Sequence, residues 1–313
     1  MTKEVWVCSN NSTHRFDSQA AEQHSYFCPD CPFGEGILIL VPNGGGSGGG
    51  GEPPHQEDLG LCIMLLDCSG SMNEPAFGDH PLSKKDLIAK SVAAGIFSLS
   101  GNPQREFAYV LILGFDHTVD TLLPYTSIEE IVVQYKEPVG LEQSLKEKMA
   151  RKNGTTDING ALQLAFKFTQ QFINSEISAL GIYKPRIQSV IDDNMINHQV
   201  PNVRVLLFSD GVHFLGEEND NSLQQSPFKS LQYNHKVFDL LMSAYYGKNN
   251  EPGYHQLKSL VSKCPRHPTE PQFFLFDAPT KVANLKGLFR MASGASGFCP
   301  VCLDEANSLT KEG

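Results

Sequence analysis

Residues 59–72 read Leu-Gly-Leu-Cys-Ile-Met-Leu-Leu-Asp-Cys-Ser-Gly-Ser-Met, and they indicate the architecture of the whole chain. The apolar run Leu59–Leu66 lacks polar alternation, which is typical of a strand buried on both faces of a parallel sheet. One acid and two hydroxyls follow at once, at Asp67, Ser69 and Ser71. Because such sheets bind ligands beyond the carboxyl ends of their strands, we expect the functional site directly after this strand.

Strand and helix patterns alternate through the rest of the chain. Further buried strands are predicted at Phe107–Phe115, Val203–Phe208, Val237–Tyr245 and Phe273–Phe276, with Thr118–Leu123 turning back on the first of these. Helices are predicted at Ser83–Leu99, Ile128–Ala150 with a break at Pro138-Val-Gly140, Asp157–Asn174, His255–Val261 and Lys281–Met291. The alternation predicts an α/β fold, with a doubly wound, mostly parallel sheet covered by helices on both faces.

Composition excludes several classes of protein. The 313 residues include 25 Lys and Arg against 35 Asp and Glu, a formal net charge of −10. This acidic balance argues against a nucleic-acid-binding surface and against an anionic-membrane binder. No apolar run approaches the roughly 18–20 residues of a membrane span. The N-terminus lacks the apolar region of a signal peptide, so we expect a cytoplasmic, reducing location in which paired cysteines are metal ligands rather than disulfides.

A glycine-rich segment divides the chain. Residues 44–51 read Gly-Gly-Gly-Ser-Gly-Gly-Gly-Gly, which is typical of a flexible tether, either natural or engineered. We therefore predict a small module at 1–43, a linker at 44–58, a large domain at 59–294 and a tail at 295–313.

Two later segments complete the constellation around Asp67. Gly154-Thr155-Thr156-Asp157 stands at the start of a predicted helix, and Ser209-Asp210-Gly211 follows a predicted strand. A doubly wound sheet would place these segments and the Asp67 turn at one edge. Oxygen side chains gathered in this way suit a hard cation.

This pattern resembles the metal-ion-dependent adhesion site (MIDAS) of von Willebrand factor A (VWA) domains, over about Leu59 to Gly294. The resemblance implies Mg²⁺ or Mn²⁺ ligated by the hydroxyls of Ser69 and Ser71. Thr156 would ligate directly or through water, whereas Asp67 and Asp210 would act mostly through water or as nearby charge. An open coordination position would take an Asp or Glu carboxylate from a partner protein.

Simpler interpretations compete with this one. The Asp67 turn could be a helix N-cap cluster, because Asp and Ser favour helix starts. Thr155 is an alternative to Thr156 as the threonine ligand of the metal. A phosphatase with an aspartyl nucleophile would need a second acid where Ser69 stands, and we interpret His213 as a solvent-exposed rim histidine rather than a base.

The small module carries a candidate zinc site. Cys28-Pro-Asp-Cys31 is a Cys-x-x-Cys turn suited to tetrahedral Zn²⁺, and Cys8 with His14 would complete the site. His24 competes with His14 as a ligand. The module resembles a zinc ribbon, and its small size makes a metal the expected source of stability.

The remaining cysteines fall into two groups. Cys299-Pro-Val-Cys302 repeats the Cys-Pro-x-Cys spacing, so a site of four cysteines shared with the N-terminal pair is an alternative, as is a partner in another chain. Cys62 and Cys68 are expected to pack as small apolar side chains. Cys264-Pro-Arg-His267 is interpreted as a plain loop before a strand.

These features predict an adaptor and not an enzyme: a zinc-ribbon-like module tethered to a VWA domain that binds a partner's carboxylate through Mg²⁺. The combination resembles bacterial zinc-ribbon and VWA proteins of the TerY type, although those carry the ribbon after the domain. Intracellular members of the wider family serve in multiprotein complexes, which implies the same here. The alternatives are a metal-dependent hydrolase that uses the Asp67 site, and a structural subunit whose metal site is vestigial.

Overall fold

The computed structural model describes residues 5–8, 15–17, 38–41, 60–78, 80–101, 105–173, 202–217, 222–230, 232–233, 236–237, 241–264, 266–277 and 299–302. Three short strands in the first module, β1 (Val5–Cys8), β2 (Arg15–Asp17) and β3 (Leu38–Val41), form an antiparallel sheet with β1 in the centre. Cys8 ends β1. His14, Cys28, Cys31 and the predicted helix at 281–291 lie outside the described residues.

The predicted large domain contains a six-stranded sheet. Its strands are β4 (Gly60–Asp67), β5 (Ala108–Phe115), β6 (Val119–Ser127), β7 (Asn202–Ser209), β10 (Leu241–Tyr246) and β11 (Phe273–Phe276). A separate hairpin pairs β8 (Gln232–Tyr233) with β9 (Lys236–Val237). The order across the large sheet is β11-β10-β7-β4-β5-β6. All neighbours are parallel except β5 and β6, so the predicted mostly parallel sheet is confirmed.

Five α-helices of the described residues cover this sheet. They are α1 (Lys84–Phe97), α2 (Ile128–Tyr135), α3 (Pro138–Met149), α4 (Ile158–Ile173) and α5 (Pro252–Leu260). Within the part of the chain that the structure describes, no helix combines the length and apolar character needed to cross a bilayer.

The central strand β4 separates two cores. Its side chains point alternately to opposite faces, as the pleat of a strand requires. Met64 and Leu66 pack with α1, α2 and α3 on one face, whereas Ile63 and Leu65 pack with α4 and α5 on the other. Both faces of the strand are therefore dry, which explains its unbroken apolar sequence and confirms the doubly wound architecture.

The strand ends meet at one edge. Leu66 on β4 is in register with Phe208 on β7, so Asp67 and Ser209 leave the sheet side by side. On the other side of β4, Asp67 pairs with Phe115, the last residue of β5. The segments that follow β4, β5 and β7 are thereby brought together at one end of the sheet.

Two predicted boundaries were wrong. The helix predicted over 128–150 is divided at Lys136, whose φ of 60° ends α2, and Pro138 then opens α3. The expected break is real, but it precedes the proline because a proline fits the first turn of a new helix. The strand predicted from Val237 begins at Leu241 instead, and Val237 belongs to the small hairpin.

Candidate metal centre

The Asp67 carboxylate is fixed by hydrogen bonds to both of its oxygens. The backbone N–H of Ser69 donates to Asp67 Oδ1 at 2.8 Å, and the Ser209 hydroxyl donates to Oδ2 at 2.6 Å. The residue is fully buried. Burial raises the pKa of Asp67 to about 6, and the nearby charge of Asp210 adds to the rise, while the bonds from Ser209 and Ser69 oppose it. An adjacent cation would offset the cost of burying this charge.

The two serine hydroxyls lie next to each other. Ser69 Oγ and Ser71 Oγ are 3.3 Å apart. Neighbouring ligands of octahedral Mg²⁺ would be about 2.9 Å apart at metal–oxygen distances of about 2.0–2.1 Å. Ser69 precedes the 3₁₀ helix Gly70–Asn73, yet among the described residues its hydroxyl makes no capping hydrogen bond. The N-cap interpretation therefore does not account for this side chain.

Asp210 joins the Ser71 hydroxyl to a lysine. Ser71 Oγ donates to Asp210 Oδ1 at 2.8 Å, and Lys84 Nζ donates to Oδ2 at 2.5 Å. Lys84 is the first residue of α1 and also contacts Glu74 at 3.1 Å. The Asp210 side chain is almost completely buried, so its charge is paired with Lys84 rather than with solvent.

Thr156 approaches the same edge from the start of α4. Its backbone exchanges two hydrogen bonds with Phe214, at 2.8 and 3.0 Å. A Cβ atom placed on Gly211 would lie 3.6 Å from Thr156 Oγ1 and 3.9 Å from Asp67 Oδ2. The threonine hydroxyl and the buried carboxylate thus face the same glycine.

The structure brings together oxygen atoms from all three predicted segments. They belong to Asp67, Ser69, Ser71, Thr156 and Asp210. Carboxylate and hydroxyl oxygens are the donors that a hard divalent cation prefers, so this donor set fits Mg²⁺. Ser71 is solvent-exposed, whereas Asp67 and Ser69 are buried, so the cluster opens to solvent on one side.

A supporting ion pair behind the cluster was missed from the sequence. Asp116 follows β5, is buried, and accepts from Lys152 Nζ at 2.9 Å and from the backbone N–H of Gly154 at 3.1 Å. Its backbone oxygen accepts from Asp157 N at 2.7 Å. These bonds fix the loop that carries Thr156. The sequence feature that could have identified Asp116 is an acidic residue directly after a buried strand.

His213 is buried and not exposed, so its interpretation as a rim histidine was wrong. Its Nδ1 accepts a hydrogen bond from Ile158 N at 3.2 Å, and its backbone N–H donates to Gln256 Oε1 at 3.0 Å. The ring therefore links the loop after β7 to the start of α4, and the His213 backbone links the same loop to α5. Such contacts between a loop and two distant helices leave no trace in the local sequence.

The four residues Cys264, His267, Cys299 and Cys302 form a second cluster. Their ligand atoms all lie within 4.8 Å of one another, and the three cysteines are buried. The interpretation of Cys264-Pro-Arg-His267 as a plain loop was therefore wrong. The structure gives the tail cysteines partners within the large domain, whereas Cys28 and Cys31 lie outside the described residues. Cys62 and Cys68 are buried, as expected.

Comparisons with known proteins give partial structural likenesses. No protein-family model matches the sequence, and neither does any curated protein sequence. The fold is similar to proximal thread matrix protein 1 from the mussel byssus, solved with a zinc-occupied MIDAS motif, at 16% identity and a TM-score of 0.44 over 76% of this chain and 48% of that one. The chain thus spans about half the length of that mussel protein.

Two bacterial structures show a comparable likeness. A von Willebrand factor type A structure from Catenulispora acidiphila has 12% identity and a TM-score of 0.41, over 76% of this chain and 43% of that one. The PilB minor pilin from Streptococcus sanguinis has 13% identity and a TM-score of 0.45, over 88% and 65%. Likenesses this distant assign no function to the chain.

Replacing Asp116 tests the role of the supporting ion pair. Asp116→Asn removes the buried negative charge beside Lys152, and we expect the free energy of unfolding to fall by about 1–3 kcal/mol in urea denaturation. Asp120→Asn is the matched control because Asp120 also contacts Lys152 but is 62% exposed. The control should cost less than about 1 kcal/mol. Equal losses in the two variants would contradict the assignment.

The same ion pair predicts a dependence of stability on pH. Burial alone would raise the pKa of Asp116, but the hydrogen bonds from Lys152, Thr118 and Gly154 outweigh it and hold that pKa well below its usual range. The stabilisation is therefore complete above about pH 4, the ordinary aspartate pKa, and is lost as the pH falls below it. Acid titration of stability should show a shallower loss in Asp116→Asn than in the wild type. Parallel curves would contradict this.

Proposed function

We propose that this chain is a protein-interaction module that binds an Asp or Glu carboxylate of a partner through Mg²⁺ held by Asp67, Ser69, Ser71, Thr156 and Asp210. The observation that carries the proposal is the convergence of side-chain oxygens from three distant segments on one edge of the sheet. We further propose that the module acts within the cell, as an adaptor in a multiprotein complex and not as an enzyme.

The charges around the site favour an incoming anion. When bound, Mg²⁺ supplies a Lewis-acidic position for an anionic oxygen. The hydroxyls of Ser69 and Ser71 are neutral, and Lys84 neutralises Asp210. The residues nearest the cation would then leave much of its charge uncompensated, so that a carboxylate from outside would bind at the exposed Ser71 side.

An exposed apolar side chain lies beside the proposed cation site. Phe214 is 43% exposed, although it is bound through its backbone to Thr156. Aromatic side chains, including Phe, are enriched in protein–protein interfaces relative to the rest of the protein surface. A partner that presents a carboxylate to the cation and an apolar side chain to Phe214 would match both features.

Removing one hydroxyl tests the cation site. Ser69→Ala deletes one of the two adjacent hydroxyl ligands, so we expect affinity for Mg²⁺ and Mn²⁺, measured by calorimetry, to fall by at least about tenfold. Ser259→Ala, at an exposed position on α5, is the control and should bind as the wild type does. Unchanged cation affinity in Ser69→Ala would exclude this donor set.

Carboxylate binding needs a separate measurement. Acetate or a glutamate-containing peptide should bind to the Mg²⁺-loaded chain, and this binding should disappear with chelator and in Ser69→Ala. Carboxylate binding that survives chelation would contradict the mechanism. Cation binding without any carboxylate binding would favour a structural metal site.

Changing Lys84 tests how Asp210 is neutralised. Lys84→Met removes the ammonium from Asp210 and leaves more negative charge beside the cation. We therefore expect divalent-cation affinity to rise by about fivefold, since removing one positive charge close to the cation changes its binding free energy by on the order of 1 kcal/mol. The affinity for carboxylate should fall in the same variant, because the added negative charge makes the bound cation attract an anion less strongly.

Lys84→Arg keeps the charge and provides the matched control, with both affinities close to those of the wild type. Both affinities moving in the same direction in Lys84→Met, as measured by the same calorimetry, would contradict this role of Lys84.

A further inference from the structure

The cluster of Cys264, His267, Cys299 and Cys302 has the dimensions of a tetrahedral metal site. Cys302 Sγ lies 3.7 Å from both Cys264 Sγ and Cys299 Sγ. His267 Nδ1 lies 3.4 Å from Cys299 Sγ, 3.4 Å from Cys302 Sγ and 3.9 Å from Cys264 Sγ. Four ligands around Zn²⁺, with zinc–sulfur distances of about 2.3 Å, would place sulfur atoms about 3.8 Å apart.

A disulfide and plain apolar packing both fit the cluster less well than a metal does. A disulfide requires sulfur atoms about 2.05 Å apart, which is far shorter than either distance here. Apolar packing does not require a histidine ring nitrogen to face three sulfur atoms. The donor set of three thiols and one imidazole matches the Cys₃His sites that hold structural zinc.

Both halves of the cluster have the local form of a metal-binding turn. Cys264-Pro-Arg-His267 and Cys299-Pro-Val-Cys302 each place two ligands three positions apart, with proline after the first. Cys264 N donates to Glu270 O at 2.8 Å, which closes the first turn, and His267 N donates to Cys264 Sγ at 3.4 Å. Cys264 and His267 thus lie on a short hairpin that is closed by an antiparallel bridge between Lys263 and Pro271.

The cluster of Cys264, His267, Cys299 and Cys302 lies at the amino ends of the parallel strands, and the Asp67 site lies at their carboxyl ends. The hairpin that carries Cys264 and His267 comes immediately before β11, and Gln272 O accepts from Ser243 N near the start of β10. These are the amino ends of the parallel strands, whereas Asp67 and Asp210 follow carboxyl ends. The two groups of residues therefore have no ligand in common.

We propose that Cys264, His267, Cys299 and Cys302 bind one Zn²⁺ in a closed, structural site that fastens the C-terminal Cys-x-x-Cys turn to the hairpin before β11. Binding displaces the three thiol protons to water, and the zinc replaces them. Three of the four ligand residues are buried, as suits a site in which protein side chains supply every ligand. Since β11 is an edge strand of only four residues, such a link would hold it in place.

Alkylation of the wild-type chain tests this proposal without any substitution. The full chain is treated with N-ethylmaleimide before and after a zinc-selective chelator, in excess Mg²⁺ throughout, and each cysteine is followed by peptide mass spectrometry. We expect Cys264, Cys299 and Cys302 to be protected with zinc and to become reactive together after chelation. Cys62 and Cys68 should stay protected in both states, which reports that the core is intact. Equal reactivity of the three ligands with and without chelator would overturn the proposal.

Zinc content of variants separates this site from one shared with the N-terminal module. We expect His267→Ala to lose about one zinc per chain and to expose Cys299, whereas His267→Cys should retain that zinc. Cys28→Ser should leave Cys299 and Cys302 protected. Exposure of both tail cysteines in Cys28→Ser, with zinc retained in His267→Ala, would overturn the assignment in favour of the shared site. Because Mg²⁺ is present throughout, these results do not depend on the proposed carboxylate-binding function.

Discussion

The buried carboxylate of Asp67 is the constraint that shapes the whole candidate site. It is fully buried between two parallel strands, where its charge is costly unless its oxygens are satisfied. Ser209 satisfies one oxygen and the backbone of the following turn satisfies the other. This arrangement fixes the turn after β4 against the end of β7, and that in turn sets where Ser69, Ser71 and Asp210 can lie.

The sheet makes this arrangement possible because β4 is buried on both faces. With helices against each face, neither end of the strand can shift without disturbing one of the two cores. The loop that carries Thr156 is held by Asp116, which forms an ion pair with Lys152 and accepts a hydrogen bond from the backbone of Gly154. Rigid strand ends and a charge-bound loop together hold the oxygen atoms in place, which is what a small cation with strict geometry requires.

Much of this organisation could be predicted from the sequence, because the signals are local. The apolar run before Asp67 and the alternation of strands and helices identified the fold class. The polar residues directly after β4 and β7 identified the end of the sheet at which the candidate site lies. Asp116 also stands directly after a buried strand, but neither its pairing with Lys152 nor the contacts of His213 could be found in this way. These contacts span 36 to 55 positions of the chain, which a local pattern does not encode.

The cysteines illustrate the same limit. Cys28-Pro-Asp-Cys31 and Cys299-Pro-Val-Cys302 look alike in sequence, so pairing them was reasonable, yet the structure places the second pair against Cys264 and His267. A hairpin before an edge strand and a turn near the end of the chain become neighbours only after the sheet has formed. The zinc-ribbon character of residues 1–43 stays a prediction, as do the domain boundaries.

The proposed cation site can be tested directly by anomalous diffraction from crystals grown with Mn²⁺, which substitutes for Mg²⁺ at oxygen sites. We expect an anomalous peak in bonding contact with the hydroxyl oxygens of Ser69 and Ser71, beside Asp67 and Thr156. A peak elsewhere on the domain, or none at this edge at saturating Mn²⁺, would contradict the proposal.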